Sequence, residues 1–462
     1  MESITTWKRT CYALAGLTVL QFIFLLNNGL GRPSVPGLDT ACELLTERFR
    51  EVSQQTAHQT DIAPQVQSKA EQLLPWDQLP RGADGEIVDN LSEAQCDFAF
   101  PDLYKDIDRA KDYWKQRGHS ISSNDTNINW NDLGVKNTDG QIWRGLIRLL
   151  IHDNQIRVLQ GVDAFGGYRP RSKQALFLLH RAVESATAAG QKLPTIELAM
   201  SMPDITDMPS KNGTRTVWAF NRRIRDPGHQ RHWLLPNFDL WGQGNSSYQD
   251  SKLSARAHDA PFRSKIPKIV WRGSAWVNMD IRQKMINIGG DNDWADMKKL
   301  DGDHNENSLP VGEWCRYAMT VHTEGVSYSG RMKWLTNCNS LIFFHEREWD
   351  MYYYHLLEAS GPNQNYVAVK RDWSDLEEKV LYYLDHPEEA ERIIANNMAT
   401  FRDRYLTRAA TSCYTRKLIQ GYAEVSFQPA TQRPASERTS ALRGVPYEAF
   451  MMNVGDIGDE NS

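Results

Sequence analysis

The chain has 462 residues, 40% of them hydrophobic and 24% charged, and a net charge of −5. That is length for about two domains and enough apolar residue to fold most of it. The mild negative charge and the lack of any basic stripe exclude a nucleic-acid-binding protein.

In chain order, Lys8 and Arg9 precede an apolar run from Cys11 to Leu26. At about 16 residues it lies at the short end for a membrane span. Asn27, Asn28 and Gly29 follow it without a small-residue cleavage site, which favours a retained anchor over residues 11–27 rather than a signal peptide. Positive charge ahead of the span leaves residues 1–10 as a cytosolic tail and sends the rest into the lumen, as a single-pass type II protein. A short span suits the thin membranes of the early secretory pathway. Four sequons, at Asn90, Asn124, Asn212 and Asn245, agree with that placement. Outside the span, Cys42, Cys96, Cys315, Cys338 and Cys413 allow two disulfides in an oxidising lumen, with one cysteine left over. No CxxC or Cys/His cluster points to zinc.

Residues 28–95 read as a stem in which Gly, Pro, Gln and Ser recur. An amphipathic piece follows over 102–116. Over 141–159 apolar residues recur at helical spacing (Ile142, Leu146, Ile147, Leu150, Ile151) and predict a helix, with another over 172–189. The apolar run 194–202 predicts a buried strand, and Asp204 lies just past its end. From Ile269 onward short apolar strands (269–271, 317–321, 341–344, 366–369) alternate with helices (282–288, 374–384, 387–405, 411–425), a pattern that implies parallel α/β sheets. Residues 428–462, rich in Pro, Ser and Arg and then in acidic residues, read as a disordered tail.

The most informative stretch runs Glu324-Gly325-Val326-Ser327-Tyr328-Ser329-Gly330-Arg331 and continues Met332-Lys333-Trp334-Leu335. Small residues form a polar turn, with Arg and Lys just inside a helix. Loop N–H groups and a guanidinium can converge there on a diphosphate. Ile269-Val270-Trp271-Arg272-Gly273-Ser274 makes a similar strand-to-loop turn. Two such turns on one sheet suggest a nucleotide site. Asp291-Asn292-Asp293 and Asp301-Gly302-Asp303 look like metal-binding DxD motifs, but they sit in polar Gly/Asn-rich stretches that read as solvated loops.

The region from Trp271 to Tyr422 resembles glycosyltransferase family 90, the fungal capsule-associated glycosyltransferases and animal protein O-glucosyltransferases. The resemblance rests on Trp271-Arg272-Gly273-Ser274, Arg282, Cys315-Arg316-Tyr317, the 325–331 turn, Cys338-Asn339-Ser340-Leu341-Ile342-Phe343 and Asp372-Trp373-Ser374-Asp375-Leu376. It implies an α/β fold of the GT-B type, with two Rossmann-like domains facing a cleft behind the N-terminal anchor and stem. The domains would be an acceptor-side one over 96–265 and a UDP-sugar-binding one over 266–410, closed by a helix over 411–427.

It also implies a UDP-sugar donor, UDP-xylose or UDP-glucose, and a glycan or glycoprotein acceptor. No metal or cofactor is implied, and the expected setting is the Golgi (or endoplasmic reticulum) membrane. Inverting transfer needs a base for the acceptor hydroxyl and positive charge for the departing diphosphate. The resemblance assigns the base to Asp204, with Asp207 as alternative. It assigns donor contacts to Ser274, Arg282, Gly325, Val326, Ser327, Ser329 and Arg331. Trp218, Phe238 and Trp241, with Trp233, would wall the acceptor side, although core packing is the commoner role for each ring taken singly. The family's disulfide positions match Cys315 and Cys338, and Cys413 would return to Cys96. The alternative function is a catalytically silent module on the same fold that binds glycan or UDP-sugar.

Overall fold

The computed structural model describes residues 73–126, 145–162, 168–206, 214–240, 242–243, 246–300, 306–433 and 442–452. The first half of the chain carries strands β1 (Leu146–His152), β2 (Gln155–Val162), β3 (Ile196–Ser201), β4 (Trp218–Ala219), β5 (Arg222–Arg223), β6 (Trp233–Leu234), β7 (Gly242–Gln243) and β8 (Ser246–Ser247). The second carries β9 (Ile266–Gly273), β10 (Ala295–Lys299), β11 (Tyr317–His322), β12 (Leu341–His345), β13 (Trp349–Asp350), β14 (Val367–Val369) and β15 (Val445–Pro446).

They build two main sheets, ordered β15-β2-β1-β3-β4-β6 and β10-β9-β11-β12-β14. The second sheet is parallel throughout, as the alternating pattern predicts. The first is mixed: β1 runs antiparallel to β2 and β3, and only β3, β4 and β6 run parallel.

The mixed sheet corrects the helix expected over 141–159. Residues 141–144 lie outside the described residues, and the rest is the β1–β2 hairpin. His152 pairs with Gln155, so Asp153 and Asn154 alone make the turn, both at positive φ (47° and 54°). That is a two-residue primed turn, the kind whose twist matches a hairpin and which Asp and Asn tolerate. β1 is buried on both faces. A strand covered on both sides reads as a continuous apolar run, so its leucines and isoleucines fall at helical spacing by accident.

Helix Tyr168–Ala188 packs against helix Arg408–Ala423. The latter opens on Thr407, whose hydroxyl accepts the Ala410 N–H at 3.2 Å, as a helix N-cap does. Cys413 on this helix bonds Cys96 on helix Glu93–Ala99 across 317 residues, and Cys315 bonds Cys338 across 23. Both pairs are the expected ones, Cys315–Cys338 at the positions the resemblance implied.

Two further corrections concern the ends. Residues 73–95, expected in the stem, fold against the core: Leu79, Ile87 and Leu91 are buried, and Glu86 accepts Lys252 Nζ at 2.9 Å. Residues 442–452, expected in a disordered tail, add β15 to the edge of β2 and then a short helix, Tyr447–Met452. Tyr447 stacks on His180 with ring centroids 4.1 Å apart, and Arg443 reaches the buried Glu197 at 2.8 Å. The proposed anchor, Cys11 and Cys42 lie outside the described residues. Among the described residues no helix is long and apolar enough to cross a membrane.

Candidate active site

In the parallel sheet β10 follows β9 to one side, whereas β11, β12 and β14 continue on the other. Strand order therefore reverses between β9 and β11. In open α/β sheets ligands bind at such a switch point, outside the carboxyl ends of the strands. The loops that leave these two strands there are the two turns singled out in the sequence. They are tied together: Asn278 Nδ2 donates to the Gly325 carbonyl at 2.9 Å.

Two guanidiniums enter this crevice. Arg282 comes from a π-turn (Met279–Gln283) after β9 and donates to the carbonyls of Glu324 and Ser274, both at 3.0 Å. Arg331 opens the short helix Met332–Leu335 after β11, and its Nη1 is buried without a hydrogen bond. Their Cζ atoms lie 5.7 and 5.5 Å from the centroid of Trp271, and Arg331 also lies 4.9 Å from that of Trp314. Neither makes a carboxylate ion pair among the described residues. Burial pulls Arg331 down to about 9, helped by repulsion from Arg282, and burial pulls Arg282 down to about 10. Both remain charged at neutral pH, so the crevice is a buried positive site that favours an anion.

The glycines of the two turns make this possible. A Cβ on Gly273 would stand 2.9 Å from Trp271 Cζ2 and 3.1 Å from Arg331 Nη2, and one on Gly325 would stand 3.1 Å from Arg282 Nη2. Gly273→Ala should therefore displace Arg331 and weaken binding of the expected diphosphate ligand, with UDP as the probe, about ten-fold, roughly 1.4 kcal/mol. Titration calorimetry against UDP checks this.

Glu324, at the head of the turn, is buried and held at every polar group. Its carboxylate accepts the N–H groups of Glu348 and Trp349 at 2.8 and 2.9 Å and Arg371 at 2.8 Å. Its own N–H donates to His345 Nε2 at 3.0 Å, while His345 Nδ1 donates to the Glu346 carbonyl at 2.7 Å. His345 must stay neutral to accept, and burial lowers it from 6.5 to about 4. Between those values the unfolded chain binds more protons than the folded one. Stability should then fall as pH drops from about 6.5 to 4, by up to roughly 3 kcal/mol, and this contribution should be flat above 6.5. Urea midpoints of wild type and His345→Gln across this range test it; the variant's profile should be flatter.

Asp204 lies beside the same turn. Ser327 Oγ donates to its carbonyl at 2.5 Å, and Asn221 Nδ2 does so at 2.9 Å. Its side chain is 41% exposed, and Oδ1 accepts Arg171 Nη1 at 2.8 Å. Arg171 lies over the rings of Phe238 and Tyr168, 5.0 and 5.6 Å from their centroids. A second clasp joins the two halves one turn further on, where buried Lys333 pairs with Asp239 and Asn237 Nδ2 donates to Tyr328 Oη at 3.1 Å.

The crevice thus brings Arg282, Arg331, Ser274, Gly325, Ser327 and Asp204 together, with Phe238 behind Arg171. Val326 stands exposed at the tip of the turn, and Ser329 Oγ accepts the Arg331 N–H at 3.4 Å. Trp218 is a correction: it belongs to an inner strand of the first sheet, fully buried with its ring 5.6 Å from Tyr422, and cannot face an acceptor. Trp233 is buried in the same way, 5.2 Å from Tyr422. Arg272 pairs with Asp296 at 2.8 Å and braces the β9–β10 edge. Asp207, Trp241, Asp301 and Asp303 lie outside the described residues; Asp291 and Asp293 are exposed. Arg171 carries no signal in the sequence, and although Glu324 and Lys333 lie in the stretch singled out there, their partners Arg371 and Asp239 do not follow from it. Each works through a tertiary contact that no local spacing marks.

The model of glycosyl transferase family 90 matches residues 175–445, more than half of the chain, and takes in every one of these crevice residues except Arg171. The chain belongs to glycosyl transferase family 90. It is 26% identical over 267 residues to protein O-glucosyltransferase 2 of Danio rerio, covering 53% of this chain and 51% of that one. It is 26% identical over 260 residues to O-glucosyltransferase rumi of Drosophila melanogaster, covering 50% and 61%. To O-glucosyltransferase LpsA of Dichelobacter nodosus it is 27% identical over 143 residues, covering 29% and 43%. The chain thus spans about half the length of the curated relatives it matches. Of the features that carried the resemblance, the turn residues 325–331 and the Cys315–Cys338 disulfide fall within the described structure.

Proposed function

We propose that this chain is a UDP-sugar-dependent glycosyltransferase of the GT-B type. It would transfer a xylosyl or glucosyl residue to a hydroxyl of a glycan or protein, with inversion and without a metal ion. The observation that carries this is the pair Arg282 and Arg331, charged and, among the described residues, without carboxylate partners, beside the turn whose Ser327 Oγ donates to the Asp204 carbonyl. The acceptor hydroxyl gives its proton to the Asp204 carboxylate as its oxygen bonds the sugar C1. The C1–O bond to the diphosphate breaks on the opposite face, and the electron pair leaves with UDP. The two guanidiniums and the N–H groups of the 325–331 turn would stabilise that charge, which is where such catalysis gains most. The O-glucosyltransferase names of the relatives support glucosyl transfer, and one of the three names a protein acceptor.

The two disulfides support an oxidising compartment. With the apolar segment over 11–27, they favour a type II protein of the Golgi or endoplasmic reticulum membrane. The test is release of UDP from UDP-glucose, UDP-xylose, UDP-galactose and UDP-glucuronate, with and without EDTA. Slow EDTA-insensitive hydrolysis of UDP-glucose or UDP-xylose is expected; hydrolysis abolished by EDTA would overturn the metal-independent mechanism. One observation favours the silent binding module instead: Arg171 already occupies an Asp204 oxygen. UDP binding without hydrolysis of any donor would decide for that reading.

A further inference from the structure

The glycosyl-transfer chemistry leaves the Asn90-Leu91-Ser92 sequon unused. Its surroundings are unusual for a surface motif. Asn90 is exposed and stands at the lip of a cavity of about 660 Å³ between the 82–90 segment and helix Tyr168–Ala188. That volume is in the range of roughly 300–1,000 Å³ occupied by ligand clefts. Its floor includes Phe177, a large ring left 40% exposed, with the Arg181 guanidinium 5.9 Å from the ring centroid. Its rim is polar: Asp89, held by Arg181 at 2.8 Å, with Glu184 and Arg408. One exposed ring among fixed hydrogen-bonding groups fits a sugar, whose C–H face packs on an aromatic while its hydroxyls reach the rim.

We infer that Asn90 carries an N-linked glycan whose proximal sugars lie in this cavity against Phe177. The Nδ2 of Asn90 loses a proton and bonds C1 of an oligosaccharide. The C1–O bond to that oligosaccharide's lipid-linked diphosphate breaks, and the diphosphate leaves with the electron pair. The modification precedes folding here. In the folded chain Leu91 is 4% exposed, its carbonyl accepts Arg416 Nη1 at 2.8 Å, and Ser92 Oγ caps a helix by accepting the Gln95 N–H at 3.1 Å. Asn90 itself stays outside that packing, so folding closes around the motif and leaves the glycan free to settle in the cavity. The inference rests on the lumenal placement proposed above.

The test is glycopeptide mass spectrometry on the full chain made in a eukaryotic secretory host, before and after endoglycosidase, beside Asn90→Gln. Asn90 should be occupied, and Asn90→Gln should lose one glycan. Enzymatic removal of the glycans should lower Tm by about 2 °C in the wild type and by clearly less in Phe177→Ala. A membrane-anchored chain with both disulfides formed but Asn90 bare overturns the inference alone. Free thiols with no glycan at any sequon overturn the lumenal placement and the inference with it. An occupied Asn90 with equal Tm shifts in wild type and Phe177→Ala overturns the cavity contact.

Discussion

Asp204→Asn is expected to lower turnover by about 10²–10⁴-fold, the usual contribution of a positioned general base, while leaving UDP affinity within about two-fold. The separation follows from where each group sits. The Asp204 carboxylate is 41% exposed and paired with Arg171, and it is the residue's carbonyl that Ser327 and Asn221 hold. The amide variant keeps that backbone clasp and nearly the same shape, so the donor turn should not move. What it would lose, on the mechanism proposed above, is the base for the acceptor's proton, together with the charge that faces Arg171. Donor hydrolysis, acceptor transfer and UDP calorimetry on one preparation read both quantities. Unchanged transfer would show that Asp204 only fastens the turn. Lost UDP affinity would show that the carboxylate shapes the nucleotide site.

The parts of this site that the sequence made legible are those written in consecutive residues. The turn 324–331 could be read because glycine, serine and arginine lie in one strand–loop–helix unit. Asp204 could be read because it follows a fully buried strand, β3. What was hidden depends on partners far along the chain. Arg171 looks like any surface arginine at the start of a helix until the fold brings it to Asp204, 33 residues along the chain, and over the ring of Phe238. Trp218 lies in a segment shared with its family, but only the sheet order shows it between β3 and β6, out of reach of the cleft. The β1–β2 hairpin was misread because burial on both faces erased the alternation that identifies a strand. Residues 442–452 are largely apolar but follow a stretch rich in Pro, Ser and Arg and precede an acidic one, and a few anchors dock them: Arg443 on Glu197, Tyr447 on His180, and Phe450 against Gly161. Composition averages over such anchors and so reads the segment as disordered.

Arg331→Met should move function and stability in opposite directions, and that opposition makes it the most discriminating substitution. The guanidinium is desolvated, repelled by Arg282, and has Nη1 buried without a hydrogen bond. A charge held this way opposes folding unless an anion arrives, and an apolar side chain of similar length removes the cost while still packing on Trp271 and Trp314. Tm of the unliganded variant should therefore equal or exceed that of wild type. The same residue would face the charge that develops on the departing diphosphate, where losing one such donor costs about 10²–10³-fold in kcat. UDP affinity should fall, and the rise in Tm that UDP gives the wild type should shrink with it. Arg331→Lys should recover only part of the activity, because an ammonium keeps the charge but not the planar two-pronged donor. A purely structural Arg331 would behave in the opposite way: its loss would lower Tm and leave the UDP-induced shift intact. A residue that destabilises the empty fold and stabilises the nucleotide-bound one has been kept for its ligand, and the sign of the Tm change reads that directly.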